Sequence, residues 1–150
     1  MVCCLTIHSS RTRFAGRLNS GVSLQVMDPR NLHIQFEHLV RAVQWDSPGG
    51  NEYFLMGDGE QFYFDRMQAA LDKHFSSAVI WASPSRHEAV LFERPSAAET
   101  IARHISRTGA LTVFDEQMTK FMQFTKTGVA RQGVLQANNS FKPNPLRGSA

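Results

Sequence analysis

The segment SAVIWASPSRHEAVLFERPSAAETIARHISRTG, residues 77–109, decides the fold class. Its first half holds two runs rich in β-branched and aromatic residues, SAVIWAS and EAVLFE, on either side of the turn PSRH, which predicts two adjacent strands. Its second half predicts a helix that starts with a capping box, Ser96 and Glu99, and ends before Gly109. The residues at helical spacing that would face inward are Ile101 and Ile105.

Two more helices are predicted on the amino-terminal side of this segment. Asp28 as N-cap and Pro29 at the first helical position open a helix that the sequence DSPGG stops after Trp45. Its apolar stripe consists of Leu32, Phe36, Leu39, Val40 and Val43. Asp65 can cap the second helix, because a carboxylate accepts from the free amides of a first turn. The buried side of that helix would carry Met67, Leu71 and Phe75.

Between these helices the sequence predicts an aromatic hairpin, residues 52–64, with its tight turn at Gly57-Asp58-Gly59. Strand side chains alternate between faces, so Tyr53 and Leu55 should share one face, and Phe54 and Met56 the other. On the partner strand, Phe62 and Phe64 would share a face and Tyr63 would take the other. Because helices on one side of a sheet cover only one face, we expect large apolar groups on the other face and a homodimer that covers them.

The carboxy-terminal part holds one ambiguous segment. ALTVF, residues 110–114, predicts a strand, whereas DEQMTKFMQF places Met118, Phe121 and Met122 at helical spacing after a capping Asp115. A strand at 121–125 is the competing interpretation, and the helix is favoured. The predicted order is therefore α-β-β-α-β-β-α-β-α. It indicates a single α+β domain with a mainly antiparallel sheet of about five strands and three to four helices packed on it.

The two ends do not resemble folded elements. They read TIHSSRTRFAGRLNSGV, residues 6–22, and NNSFKPNPLRGSA, residues 138–150. One DNA sequence can encode both, because a back-translation of 138–150, with suitable codons and read one base out of frame, gives residues 6–18. The back-translated DNA contains CCGAACCCGCTTCGCGGGTCGG, in which the complementary arms CCCGC and GCGGG can pair around TT. This DNA resembles attC, the recombination site of integron gene cassettes, and the resemblance covers only residues 5–22 and 138–150.

The resemblance implies a gene on a bacterial mobile element, with the first site copy belonging to the preceding cassette. Translation would then start at Met27, and residues 1–26 would be a non-native leader. We expect one α+β domain over 27–137 and a flexible tail over 138–150. Both ends should pack little on the domain, so that deleting them leaves the fold intact.

The ends also account for the basic character of the chain. Its formal net charge is +3, and its pI is about 9.2. Five of the sixteen Lys and Arg residues, and none of the thirteen acids, lie in the two ends, so residues 27–137 carry eleven basic and thirteen acidic groups and a net charge of −2. A broad nucleic-acid surface is therefore not expected on this domain.

Cysteine usage and hydropathy exclude several further kinds of site and a membrane-spanning protein. Cys3 and Cys4 lie in the leader, so residues 27–137 can hold no disulfide, thiol nucleophile or cysteine zinc site. A cysteine-free domain fits the cytoplasm. The longest apolar runs are too short for a membrane span. We therefore expect a cytoplasmic protein with no cofactor, no metal and no membrane association.

Several polar groups could carry chemistry, and each has a simpler interpretation. His33 and Glu37 are four residues apart on the first helix, beside His38, but without a third ligand a solvated polar face is favoured. Gly57-Asp58-Gly59 lacks the Walker spacing and lysine of a phosphate loop. The polar residues around the turn PSRH lack the G-x-S-x-G elbow of a serine hydrolase. They are Ser83, Ser85, His87 and Glu88. A basic helix face that could bind an anion carries Arg103, His104 and Arg107.

The residues that we single out as a ligand or partner surface are mostly aromatic, because aromatic groups line ligand pockets and interface centres. They are Trp45, Tyr53, Phe62, Tyr63, Trp81 and His87. No nucleophile–base pair can be assembled from sequence spacing. The sequence therefore favours a non-catalytic module that binds a small molecule or a protein. The alternative is a small acyltransferase-like enzyme, or a toxin or phage-defence effector.

Overall fold

A central antiparallel sheet organises the protein. The computed structural model describes residues 5–8, 28–59 and 61–136. The strands within these residues are β1 (Leu5–His8), β2 (Val43–Trp45), β3 (Phe54–Leu55), β4 (Val79–Ser85), β5 (Glu88–Glu93), β6 (Ala110–Phe114), β7 (Lys120–Thr125) and β8 (Val129–Leu135). Seven follow the order β1-β5-β4-β6-β7-β8-β2. Strand β3 pairs with the start of β8, and β2 pairs with its end, so both lie on the same edge of β8.

Three helices of the described chain pack on this sheet, which confirms an α+β domain. They are α1 (Pro29–Val40), α2 (Phe64–His74) and α3 (Ala97–Thr108). Two 3-10 turns precede β3 and α3, at Pro48–Gly50 and Arg94–Ser96. Asp28 caps α1 as expected, since its carboxylate accepts from the Arg30 amide at 3.1 Å. The sheet has more strands than the predicted five or so, because β1, β2, β7 and β8 lie in segments for which no strand was favoured.

The larger core lies between the sheet and helices α2 and α3. The predicted inner residues of both helices are fully buried there: Met67, Leu71, Phe75, Ile101 and Ile105. They pack on the side chains of five strands that point to the same face: Ile80, Ala82, Val90, Phe92, Leu111, Val113, Met122, Phe124 and Ala130. Gly109 ends α3 in the left-handed conformation with φ 84°, as the sequence predicts.

A smaller core lies on the opposite face, under α1. Leu32 and Phe36 of the helix are buried there, and the Phe36 ring stacks on Phe114 with centroids 5.3 Å apart. Phe121 completes an aromatic row, 6.0 Å from Phe114. The helices therefore lie on both faces of the sheet, which corrects the expectation that they cover one face.

The segment predicted as a fourth helix is a turn followed by β7. The Asp115 carboxylate accepts from the backbone amides of Thr119 at 2.7 Å and Lys120 at 3.0 Å, so it closes a turn instead of capping a helix. Met118 in this turn has a φ of 55°. The helical spacing misled because Phe121 and Met122 are both fully buried, on opposite faces of the sheet. Burial on both faces removes the alternation that normally marks a strand.

One predicted helix end and one predicted capping interaction are also wrong. Helix α1 ends at Val40, and the next residues form β2, so Trp45 lies in a strand and not at a helix end. Ser96 is the N-cap residue of α3, but its side chain makes no capping hydrogen bond. The Ala98 amide donates instead to Oε1 of Gln68 in α2, at 3.3 Å. A tertiary contact thus replaces the predicted capping box.

The aromatic hairpin is much shorter than predicted. Around the turn, Gly57 and Phe62 form an isolated bridge, and the Tyr63 amide donates to the Met56 carbonyl at 2.9 Å. Strand β3 pairs with β8 and not with residues 62–64, and Phe64 begins α2. The predicted alternation therefore holds on the first arm, where Phe54 and Met56 pack on the larger core and Tyr53 and Leu55 are exposed, but not on the second.

The expectation that the leader packs little on the domain is wrong at residues 5–8. These residues form β1, which pairs with β5 over the register Leu5↔Leu91 to His8↔Glu88. The remaining leader residues and the tail from 137 onward lie outside the described residues. The start at Met27 remains a prediction.

The buried side of α3 gives a direct stability test. Ile101 is fully buried, whereas Ile34 on α1 is 54% exposed. Ile101→Ala should lower the free energy of unfolding by about 2–5 kcal/mol, because a cavity adds to the lost transfer energy. Ile34→Ala, the matched control, should change it by less than about 0.5 kcal/mol. Urea denaturation of the full chain measures both, and similar losses would contradict the assigned layers.

Candidate functional site

A cleft of about 910 Å³ opens at the β2 edge of the sheet. Helix α2 forms one wall, and β2 with the following loop forms the other. The apolar part of the lining includes Phe54, Met56 and Val134. Met56 is buried, whereas Val134 is 40% exposed, so the apolar surface extends from the core out to solvent.

The α2 wall combines small side chains with two cations. Ala69 and Ala70 line the cleft between Arg66 and Lys73. Arg66 lies over the Tyr63 ring, 5.2 Å from its centroid. Among the described residues, neither Arg66 nor Lys73 forms an ion pair. This wall therefore presents positive charge beside a shallow apolar strip.

Two residues of the opposite wall, Trp45 and Glu52, are held by Arg131 of β8. Its guanidinium lies 4.1 Å from the Trp45 ring centroid and 5.4 Å from that of Tyr53. It also forms an ion pair with Glu52. Its Nε donates to Gln123 Oε1 at 2.8 Å. We call these five residues the Arg131 cluster; it ties the loop before β3 to the sheet.

Asp46 is the second acid on this wall. Its amide donates to the Gln132 carbonyl at 2.8 Å, and its carboxylate accepts from Gln132 Nε2 at 3.3 Å. Both acids that line the cleft, Asp46 and Glu52, are thus engaged by β8 side chains, in contrast to the cations of the facing helix. Glu52 is neutralised by its ion pair with Arg131, whereas Asp46 keeps its charge, so the cations of α2 are the charged groups of the lining that have no described acidic partner.

His74 lies on α2 beside Lys73 and is buried. Its Nε2 is 3.1 Å from the Phe121 carbonyl, so Nε2 carries the proton and donates. Burial lowers the pKa of His74 below its ordinary value, and Lys120 adds to this, while the hydrogen bonds to the backbone of Gly133 and Phe121 oppose it. The imidazole is therefore held neutral at pH 7.

The structure brings together only two of the six residues that the sequence singled out. Trp45 and Tyr53 meet across Arg131. Phe62 packs on the larger core, and Trp81 on the smaller one. Tyr63 precedes α2, and His87 is exposed in the β4–β5 turn. The six residues do not form one surface.

Two of the polar groups considered separately in the sequence are in contact. Ser83 Oγ of β4 lies 2.8 Å from His33 Nδ1 of α1, across the layer boundary. His33 Nε2 lies 3.9 Å from Glu37 Oε1. Ser85 is not part of this contact, since its Oγ accepts from the His87 amide at 3.3 Å within the turn.

The other predicted polar sites keep local roles. Asp58 accepts from the Gln61 amide at 2.9 Å, as expected of a turn. His104 is buried, with its edge toward Phe92, and its Nδ1 accepts from Arg107 at 3.0 Å. Burial and the Arg107 charge lower the pKa of His104. It therefore does not lie on an exposed anion-binding face.

Among the described residues, no three His, Cys, Asp or Glu side chains lie close enough to hold a metal ion. No helix of that part of the chain has the length and apolarity to cross a membrane. No family model, curated protein or solved structure matches this chain.

Sequence reasoning missed Arg131 and the two cations of α2. Arg131 and Glu52 are 79 positions apart, and no local pattern connects them. Arg66 and Lys73 are seven residues apart, which places them on one helix face, and this spacing was the available signal.

The buried His74 predicts how stability depends on pH. Its pKa is lowered in the folded state, so the unfolded chain binds more protons below about 6.5, and stability falls as pH falls through this range. His74→Gln should lose less stability between pH 7.5 and 5.5 than the unchanged protein. Only part of the pH dependence, the slope of stability against pH, should disappear, because the pKa of His104 is also lowered in the folded state.

Urea titrations at both pH values measure this slope. His87→Gln, which removes an exposed imidazole, is the matched control and should keep the original slope. An unchanged slope in His74→Gln would contradict a neutral buried His74.

Proposed function

We propose that the protein is a binding module for a small amphipathic anion, an apolar molecule that ends in a carboxylate or similar group. The observation that carries the proposal is the cleft of about 910 Å³ between α2 and the β2 edge. Ligand pockets span about 300–1,000 Å³ and are mostly apolar with a few placed polar groups.

The apolar part of the ligand would lie along Phe54, Met56 and the two alanines of α2. Ala69 is exposed and carries only a methyl group, so the ligand can approach the helix closely. Burying apolar ligand surface here supplies about 25 cal/mol per Å² before the costs of association.

The anionic group would lie beside Arg66 and Lys73. These cations have no described ion-pair partner, whereas Glu52 is paired with Arg131 and Asp46 accepts from Gln132. A cation in the same position would face the unpaired positive charge of α2. The Arg131 cluster keeps the opposite wall in place, so little ordering would accompany binding.

Decanoate tests the proposal, with decylamine of the same chain length as the opposite-charge control. Thermal shift and isothermal titration on the full chain should show binding of decanoate and weaker binding of decylamine. Arg66→Glu should weaken decanoate binding by about tenfold, which corresponds to about 1.4 kcal/mol. Ala69→Trp should abolish it by filling the cleft.

The matched control for the tryptophan is Gln35→Trp, at an exposed position of α1 on the other face of the sheet. It should bind decanoate normally. Equal binding of both ligands, or binding that Ala69→Trp leaves intact, would contradict the proposal.

We also propose that the protein forms a homodimer. Tyr53 and Leu55 are 42% and 52% exposed. Leu55 lies in β3, which pairs with β8 at the edge of the sheet, and Tyr53 lies just before β3. Sedimentation equilibrium of the full chain at micromolar concentration should give twice the mass of 16.9 kDa, and Leu55→Lys should return it to the monomer. A strict monomer before substitution would contradict the dimer.

We also propose the origin of the gene, the location of the protein and the class of its partner. The two-frame reading of the chain ends supports an integron cassette as the gene's origin. The absence of cysteine from residues 27–137 supports a cytoplasmic location, and their net charge of −2 supports a partner other than nucleic acid.

A further inference from the structure

We propose that Ser83, His33 and Glu37 form a second site, an esterase centre for short acyl groups on the face of the sheet covered by α1. The contact between Ser83 Oγ and His33 Nδ1, at 2.8 Å, is the geometry of a nucleophile and its general base. The two residues are 50 positions apart, so packing of α1 on β4 creates the pair.

The pair lines a pocket of about 210 Å³. Ser83 is 4% exposed and the His33 side chain 15% exposed, so the reacting atoms sit at the bottom of the pocket. Pro84 and Thr112 line the same pocket. Near Ser83 the register between β4 and β5 shifts, between Ala82 and Ser85, and such irregularities re-aim side chains next to active sites.

The proposed roles require the tautomer in which His33 Nδ1 accepts the serine proton and Nε2 carries the other proton. Ser83 Oγ lies 2.8 Å from Nδ1, and Glu37 Oε1 lies 3.9 Å from Nε2 on the far side of the ring. Glu37 is a positioning residue, because its carboxylate favours this tautomer and stabilises the imidazolium that forms. Catalytic hydrogen bonds are often long in the free enzyme and shorten with substrate bound.

The reaction proceeds in two balanced halves. Ser83 Oγ bonds to the ester carbonyl carbon as its proton moves to His33 Nδ1, and Thr112 can donate to the resulting oxyanion. The ester C–O bond breaks, the alcohol leaves with the proton from His33, and the acyl group stays on Ser83. Water then adds to the acyl carbon with the same proton transfers, which releases the carboxylic acid and restores the serine.

The size of the pocket sets the specificity. A volume of about 210 Å³, bounded by Phe36 and Pro84, accepts an acetyl or butyryl group but not a long acyl chain. This site and the decanoate cleft lie on opposite faces of the sheet. Ala69→Trp should therefore leave esterase activity unchanged, so that the two proposals fail independently.

Hydrolysis of p-nitrophenyl acetate by the full chain, and the mass of its adduct with a fluorophosphonate probe, test the site. The protein should hydrolyse the acetate above the buffer rate, hydrolyse the laurate ester more slowly, and gain one adduct at Ser83. Ser83→Ala should lose both properties, and the matched control Ser85→Ala should keep both. His33→Gln should lower the rate by about 10²-fold or more.

Two further variants separate chemistry from folding. Ser83→Cys keeps the size of the side chain and should lose the fluorophosphonate adduct with an unchanged circular dichroism spectrum. Glu37→Gln should lower kcat with little change in KM, and Glu37→Asp should recover part of it. No hydrolysis and no adduct in the unchanged protein, or an adduct that survives in Ser83→Cys, would overturn the proposal.

Discussion

Strand β7 carries two consecutive side chains, Phe121 and Met122, that are both fully buried on opposite faces of the sheet. A sheet with this property needs a covering layer on each side, because either exposed face would present large apolar groups to water. Helices α2 and α3 supply one layer and α1 the other. The aromatic row of Phe36, Phe114 and Phe121 then places α1 across the middle of the sheet.

The three-layer arrangement leaves uncovered regions where the helices end. At the β2 edge, the space between α2 and β2 forms the larger of the two proposed ligand cavities, the cleft of about 910 Å³. The Arg131 cluster holds the other wall by stacking a cation between two aromatic rings while pairing it with Glu52. A guanidinium suits this role because its planar fork forms hydrogen bonds at its edge while its face stacks on a ring.

The same layering places polar chemistry inside the smaller core. His33 is on an otherwise apolar side of α1, and its contact with Ser83 satisfies both groups where water has limited access. This hydrogen bond also has a structural role, because it connects α1 to β4. The adjoining pocket and the nearby Glu37 are the observations on which the proposed esterase site rests.

The buried histidines add an electrostatic constraint. His74 and His104 are both held neutral by burial, one against the Phe121 carbonyl and one against Arg107. Each lies on a different helix of the same layer. Protonation of either imidazole therefore destabilises the helix layer that forms one wall of the cleft.

The sequence by itself determined the α+β class, the cores of α2 and α3, the entry of α1 at Asp28 and the left-handed end at Gly109. These features depend on local spacing and on the backbone preferences of single residues. Tertiary structure alone decided that residues 115–125 form a turn and a strand, since Asp115 closes the turn and burial on both faces hides the strand pattern. It also decided both sites, because Arg131 meets Glu52 and Ser83 meets His33 only when distant segments pack together. No local signal encodes such contacts, so the chemistry of this chain becomes visible only in the folded layers.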